Sequence, residues 1–220
     1  MRRINVLYVR LQIGLSRNIY SMIIRPLTVF EREAVRSFYL ALGPDDRRKR
    51  FCCSLSDDII SSYVDRLNFT RDTVLGAFDE RARIIGLAEL VRSPEAGEMA
   101  FSVRPDKRGR KIGTKLIERL LLRARMCGVR KVFVMFLSNN TPMRRMAVRA
   151  GMALSSADGE AYAERILPAP SAEELAQWFT EESLSHGGYF GTLGIAHWGA
   201  LLTGSAGAAP QPLDLAAPSA

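Results

Sequence analysis

Between Gly97 and Arg119 the sequence passes from an alternating segment, GEMAFSV, through a basic turn, RPDKRGRKIG, into a long amphipathic stretch that opens TKLIER. The pattern predicts a buried strand that hands the chain, through a tight glycine-containing turn, to the start of a helix. A helix start leaves its first N–H groups unpaired and carries partial positive charge, and here the cations Arg104, Lys107, Arg108, Arg110 and Lys111 surround it. Such a constellation is built for a polyanion, most simply one or more phosphates.

The rest of the chain narrows which phosphate ligand this is. A length of 220 residues with 47% hydrophobic and 25% charged side chains suffices for one buried core without disulfides or metals. The cysteines, Cys52, Cys53 and Cys127, have neither a disulfide framework nor a metal-ligand spacing, which points to a reducing, cytoplasmic setting and to no metal. No run of 18 apolar residues exists, so no membrane-spanning helix is expected. Residues 1–21 form a basic leader without a signal-peptide pattern, and the reading is of an over-called start with Met22 as the first residue. The net charge of +8 falls to +4 without the four leader arginines, and the remaining excess is concentrated in the turn with no interleaved aromatics. A compact anion fits that patch better than a nucleic-acid strand.

Along the chain, Ser21–Thr28 predicts a first strand and Glu31–Leu42 a helix with Ala34, Phe38 and Leu42 on one face. Pro44 opens a short helical piece through the basic run Arg47–Arg50, and Ser56 caps a helix carrying Ile59, Ile60, Tyr63, Val64 and Leu67. Three strands follow as an antiparallel meander: Thr73–Phe78, Ile84–Leu90 and Glu98–Val103. After the basic turn, Leu116, Ile117, Leu120, Leu121 and Ala124 mark one face of a helix. The apolar run Val132–Leu137 predicts a strand covered on both faces. A helix over Asn140–Ala150 then presents Met143, Met146, Ala147 and Ala150 inward, with its arginines opposite and Gly151 as its stop. Two short strands around Asp158 and Gly159 close the core near Leu167. Ser171 and Glu174 make a capping box for one further helix in a C-terminal extension over 168–203, and 204–220 are expected to be disordered. The helix around Trp178 is open to two uses, as cover for the core or as a face for a second copy of the chain in a homodimer.

This order of elements, together with two motifs, resembles the GNAT superfamily of acetyl-CoA-dependent N-acetyltransferases over residues 22–167. The first motif is the pyrophosphate loop, present as Arg108, Gly109, Arg110, Lys111, Ile112 and Gly113; the second is Asn140 followed after ten residues by Gly151 and Met152. The pair is similar to that of the catalytic domain of bacterial protein-lysine acetyltransferases. The resemblance implies an α/β GNAT fold, a mixed central sheet flanked by helices, with acetyl-CoA as cosubstrate. It implies cofactor contacts from Phe101, Ser102 and Val103 to the pantetheine arm, from Arg108 to Thr114 to the pyrophosphate, and from Asn140. It also gives Glu98 the role of general base toward a primary amine, either a protein lysine or a small molecule. Two positions depart from the pattern: Lys111 stands where the family has glycine, and Ala147 where many members carry the tyrosine that protonates the departing thiolate.

Plainer readings stand beside these. Glu98 alternates with Met99, Phe101 and Val103 and can be a solvated strand residue. Asn140 can be a helix cap, a cofactor contact or both. Cys52 and Cys53 read as ordinary half-buried thiols. A non-catalytic acyl-CoA-binding regulatory module is the rival to an enzyme. A P-loop requires four residues between its glycines followed by Lys and Ser or Thr, whereas Gly109 and Gly113 enclose three. The two histidines, His186 and His197, lie outside the expected core, which argues against a Ser/His hydrolase or a histidine metal site.

Overall fold

The alternation of apolar residues in the meander builds the centre of a sheet, and amphipathic helices cover it on both faces. The structure, a computed structural model, describes residues 22–94, 96–176 and 178. The leader 1–21 and the tail from 179, on which the start-site and disorder expectations fall, lie outside the described residues. Seven strands, β1 (Ile23–Pro26), β2 (Thr73–Phe78), β3 (Ile84–Arg92), β4 (Gly97–Val103), β5 (Lys131–Leu137), β6 (Ala153–Ala157) and β7 (Glu160–Ile166), form one mixed sheet. Their spatial order is β1-β2-β3-β4-β5-β7-β6, and every pairing is antiparallel except β4 with β5.

The helices are α1 (Arg32–Leu40), α2 (Pro44–Phe51), α3 (Asp57–Asp65), α4 (Ile112–Met126) and α5 (Thr141–Arg149). One core lies under α4 and α5, where Leu116, Ile117, Leu120 and Ala124 meet Ala88, Leu90, Met99, Val132, Val134 and Phe136. A second core lies on the opposite face, where α1 and α3 pack Val35, Phe38, Tyr39, Ile60 and Val64 against Val74 and Leu87. Ser56 caps α3 as expected, its Oγ accepting from the Ile59 N–H.

Three expectations shift. Ala34 is exposed, and the buried stripe of α1 is Val35, Phe38, Tyr39 and, just past the helix, Leu42. Ile59 is half-exposed while Ile60 and Val64 are fully buried. The apolar run of β5 is covered on one face only: Val132, Val134 and Phe136 are buried, but Met135 keeps 46% of its surface. Helices α1 and α3 cover the β1–β3 half of that second face and leave the β5–β7 half open among the described residues.

Beneath α1 and α2 lies a buried polar group that periodicity alone does not reveal. Glu89 on β3 is 1% exposed and accepts hydrogen bonds from the hydroxyls of Tyr39 and Tyr63. Arg50 of α2 closes the group with Nη2 at 2.6 Å from a Glu89 carboxylate oxygen and 2.8 Å from the Tyr63 hydroxyl. Burial pushes the phenols of Tyr39 and Tyr63 up, so both remain donors. Removing one partner of such a pair leaves an uncompensated charge, and Arg50→Ala should lower unfolding stability by about 3–5 kcal/mol in a denaturant titration.

Past β7, residues 172–176 form a helical turn tied to α4. The Ser171 Oγ accepts from the Glu174 N–H at 3.2 Å and the Glu174 carboxylate accepts from the Ser171 N–H at 2.8 Å, the expected capping box. Arg125 grips the same carboxylate at 2.5 and 2.6 Å, and the Arg123 guanidinium lies 5.1 Å over the Trp178 ring, so this helix covers α4 of its own chain. The hydrogen bonds from Arg125, with help from the Ser171 amide, hold Glu174 down to about 2. A depressed carboxylate stabilises its contact above the unfolded value and loses it as pH falls toward the folded one. Amide protection in residues 172–176, measured relative to the intrinsic exchange rate at each pH, should therefore fall as pH drops from about 4.5 to 2, and in Arg125→Gln this acid-dependent loss should vanish.

Candidate functional site

β4 and β5 set the site by failing to stay together. Their parallel ladder comprises only Gly97 with Val132 and Glu98 with Phe133, after which the strands diverge. From Met99 onward β4 is paired to β3 alone, so its other edge offers unsatisfied backbone N–H and C=O groups to whatever enters the gap.

The basic turn closes one end of that gap. After a 3-10 turn at Pro105–Lys107, Gly109 takes φ +76° and Lys111 φ +61°, both left-handed, before α4 begins at Ile112. The turn explains why glycine suits position 111: a side chain in this backbone region costs about 1–2 kcal/mol. Lys111 adopts it nonetheless, in the left-handed rather than the helical conformation. Among the described residues no side chain caps α4, which leaves its first-turn amides facing outward without a side-chain acceptor.

A cleft of about 490 Å³ runs along these features. Among its walls are Phe101, Ser102 and Val103 of β4, together with Arg108, Gly109, Lys111, Ile112, Gly113, Thr114 and Asn140. Of the loop residues expected to bind the cofactor, Arg110 is the one that is exposed and outside the lining. Asn140 serves as the α5 cap, its Oδ1 3.3 Å from the Met143 N–H, and borders the cleft as well. Ala147 is fully buried in the core, so no hydroxyl reaches the cleft from that position.

Sequence reasoning missed several lining residues. Asp46, Lys49 and Arg50 of α2 face the cleft, and so do Arg145 and Arg149 of α5, one helical turn apart. A charged run without an apolar stripe, as in PDDRRKRF, reads as solvated surface; the usable signal was its 3–4-residue spacing. With Lys107, Arg108 and Lys111, these cations make a rim suited to several phosphates, against a single lining acid, Asp46. Asp46 already holds Arg108, with Oδ1 2.6 Å from Nη2.

Glu98 stands where the ladder stops and is not among the residues lining the cleft. It is exposed, and no hydrogen bond or ion pair holds its carboxylate among the described residues. Phe133 sits beside it in register and stacks on Tyr162 with centroids 5.4 Å apart, on the open face that also carries Met135. Cys52, at the end of α2, feels both Glu160 and Glu98: burial first, and then these carboxylates, push its thiol up.

A cationic rim leading into a backbone-lined slot fits a nucleotide with an extended thioester arm. Residues 34–152 match the Acetyltransferase (GNAT) family. The chain belongs to that family. It is an acyltransferase, and its sheet with flanking helices is the GNAT fold. No curated protein matches the chain. Among solved structures, the GNAT domain of S. lividans PAT is similar at 24% identity and TM-score 0.56, over 66% of this chain and 89% of that one. A phosphinothricin acetyltransferase from Sinorhizobium meliloti in complex with acetyl-CoA gives 17% and 0.54, over 69% and 94%. A ribosomal-protein-alanine N-acetyltransferase from Brucella melitensis gives 18% and 0.53, over 66% and 100%. At these identities the likeness concerns the fold.

Within this GNAT frame, Asp46 is the residue whose charge opposes an anionic ligand. Asp46→Asn should tighten coenzyme A binding several-fold in a calorimetric titration, with a steeper salt dependence, because Arg108 is released to phosphate.

Proposed function

We propose that the protein is an acetyl-CoA-dependent N-acetyltransferase that acylates a primary amine directly, with Glu98 as the general base. The observation that carries the reading is the short β4–β5 ladder, which ends at Glu98 with the cleft beyond it. Phe101, Ser102 and Val103 would pair through their backbone with the pantetheine arm; Arg108 and the amides up to Thr114 would take the pyrophosphate, with Lys111 as an added cation. Acetyl-CoA supplies the activated acyl group, a thioester whose carbonyl carbon accepts the amine.

The chain's own task is to deliver a neutral amine. An alkylammonium with pKa about 10.4 is neutral only at about one part in a few thousand at pH 7, a penalty of about 4–5 kcal/mol. Glu98, unpaired and exposed where the ladder stops, takes that proton directly or through water and passes it to solvent. A β4 backbone N–H, that of Val103 by resemblance, stabilises the charge that develops on the thioester oxygen as the C–N bond forms and the C–S bond breaks. With Ala147 in place of a tyrosine, water protonates the thiolate, whose low basicity, near pKa ~8.5, makes it a competent leaving group.

A protein lysine is favoured over a small amine. Glu98, Glu160 and the Phe133–Tyr162 pair border a broad open face, which suits a long cationic side chain presented on a surface better than an enclosed small molecule. A small-molecule amine remains the competing acceptor, and the free thiols of Cys52, Cys53 and Cys127 support a cytoplasmic setting for either.

Wild-type protein should gain about 2.7 kcal/mol of stability with acetyl-CoA at 100 times its dissociation constant. Glu98→Gln should lower kcat about 10²–10⁴-fold, with coenzyme A affinity unchanged and partial recovery at alkaline pH where the amine is already neutral. Thiol release from acetyl-CoA, measured with lysine peptides and a panel of small amines, reads both rate and acceptor. Turnover that survives the substitution intact refutes the base, and tight binding without turnover on any acceptor would favour a regulatory module.

A further inference from the structure

The Arg50–Glu89 pair has one edge inside the protein core and another on the cleft. Nη2 of Arg50 is occupied by Glu89 and Tyr63, and the guanidinium carbon lies 4.6 Å from the Phe51 ring centroid, so the group is held rigidly. Its Nε–H, although buried, has no hydrogen-bond partner among the described residues. The Oγ of Ser102 is in the same condition: Ser102 is 8% exposed and its hydroxyl is unpartnered. Both residues line the same cleft.

They also share a face of the sheet. Glu89 stands opposite Ala100 and Leu87 opposite Ser102 in the β3–β4 register, and Leu87 packs in the core under α1 and α3. Ser102, Ala100 and Glu98 therefore line up on the side of β4 toward which Arg50 descends from α2. Two buried donors left unfilled in a folded protein mark a place where a ligand supplies the acceptor. The charge of Arg50 is already balanced by Glu89, so the site selects a neutral oxygen rather than a further anion.

We propose that Arg50 Nε–H and Ser102 Oγ–H together receive a carbonyl oxygen of the acyl-pantetheine arm. This rests on the reading of the cleft as the acetyl-CoA site and adds to it side chains from α2 and β4 that position the arm. The oxygen belongs either to a pantetheine amide or to the thioester, and the two are separable by experiment. Neither residue moves a proton.

Arg50→Lys keeps a cation for Glu89 and replaces Nε–H by a methylene; Ser102→Ala removes only the hydroxyl. Melting temperatures near wild type check that both variants fold. Titrations with coenzyme A and with acetyl-CoA, alongside kcat and KM, give the result. If the oxygen is an amide, each variant weakens both ligands about 10-fold with kcat unchanged. If it is the thioester, coenzyme A binds as in wild type while kcat falls by a similar factor. In both cases the double variant loses less than the product of the single losses, because the two donors share one acceptor. Variants that match a coenzyme A-binding wild type in both affinities and in kcat overturn this inference alone. A wild-type protein that binds neither ligand overturns the reading of the cleft together with it.

Discussion

The two-residue parallel ladder between β4 and β5 is the constraint on which the rest depends. A strand interior to a sheet normally has both edges paired, and leaving an edge open inside a protein is tolerated only where something polar fills it. Here β4 keeps its antiparallel bond to β3 through Val103 while β5 turns away after Phe133. The strand is therefore both a structural member and one wall of a ligand slot. The amphipathic α4 leaves the same strand by a turn of four residues after the 3-10 segment, which places its uncapped amides at the mouth of that slot.

Helix α2 joins the two halves of the site. It is short and strongly charged, and it offers almost nothing to a hydrophobic core. Three of its polar side chains hold it instead. Asp46 reaches the basic turn through Arg108, Arg47 ties it to the Leu40 and Leu42 carbonyls and to Asp57, and Arg50 reaches the buried carboxylate of Glu89. A buried ion pair contributes little net stability compared with a well-packed apolar pair, but it tolerates few alternative arrangements. That geometry holds α2 over the gap, and the C-terminal part of β4 keeps its second edge open beside it.

Much of the fold was legible because burial imposes period. The stripe Leu116, Ile117, Leu120, Leu121 and Ala124 could belong only to a helix on a sheet, and all five residues are buried. The Asp158–Gly159 turn and the Ser171–Glu174 box announced themselves through backbone chemistry that few other residues satisfy. The errors fall where period is ambiguous. Ala34 and Val35 differ by one position on a helix, and the choice between them depends on the direction from which β2 and β3 approach. The β5 run looked buried on both faces because hydrophobicity does not say that α1 and α3 stop at β3.

What the amino-acid sequence determined by itself was local: a strand, a tight basic turn and a helix start in succession, with Asn140 and Gly151 framing a second helix. These features depend on residues near each other in the chain, through backbone conformations that glycine, asparagine and proline restrict. The splay of β4 from β5, the partnership of Glu89 with Arg50 across 39 positions, and the turning of Arg145 and Arg149 toward the cleft were decided only by tertiary structure. Each depends on which distant surface packs against which, and a charge bears no mark in sequence of whether water or a buried carboxylate will answer it.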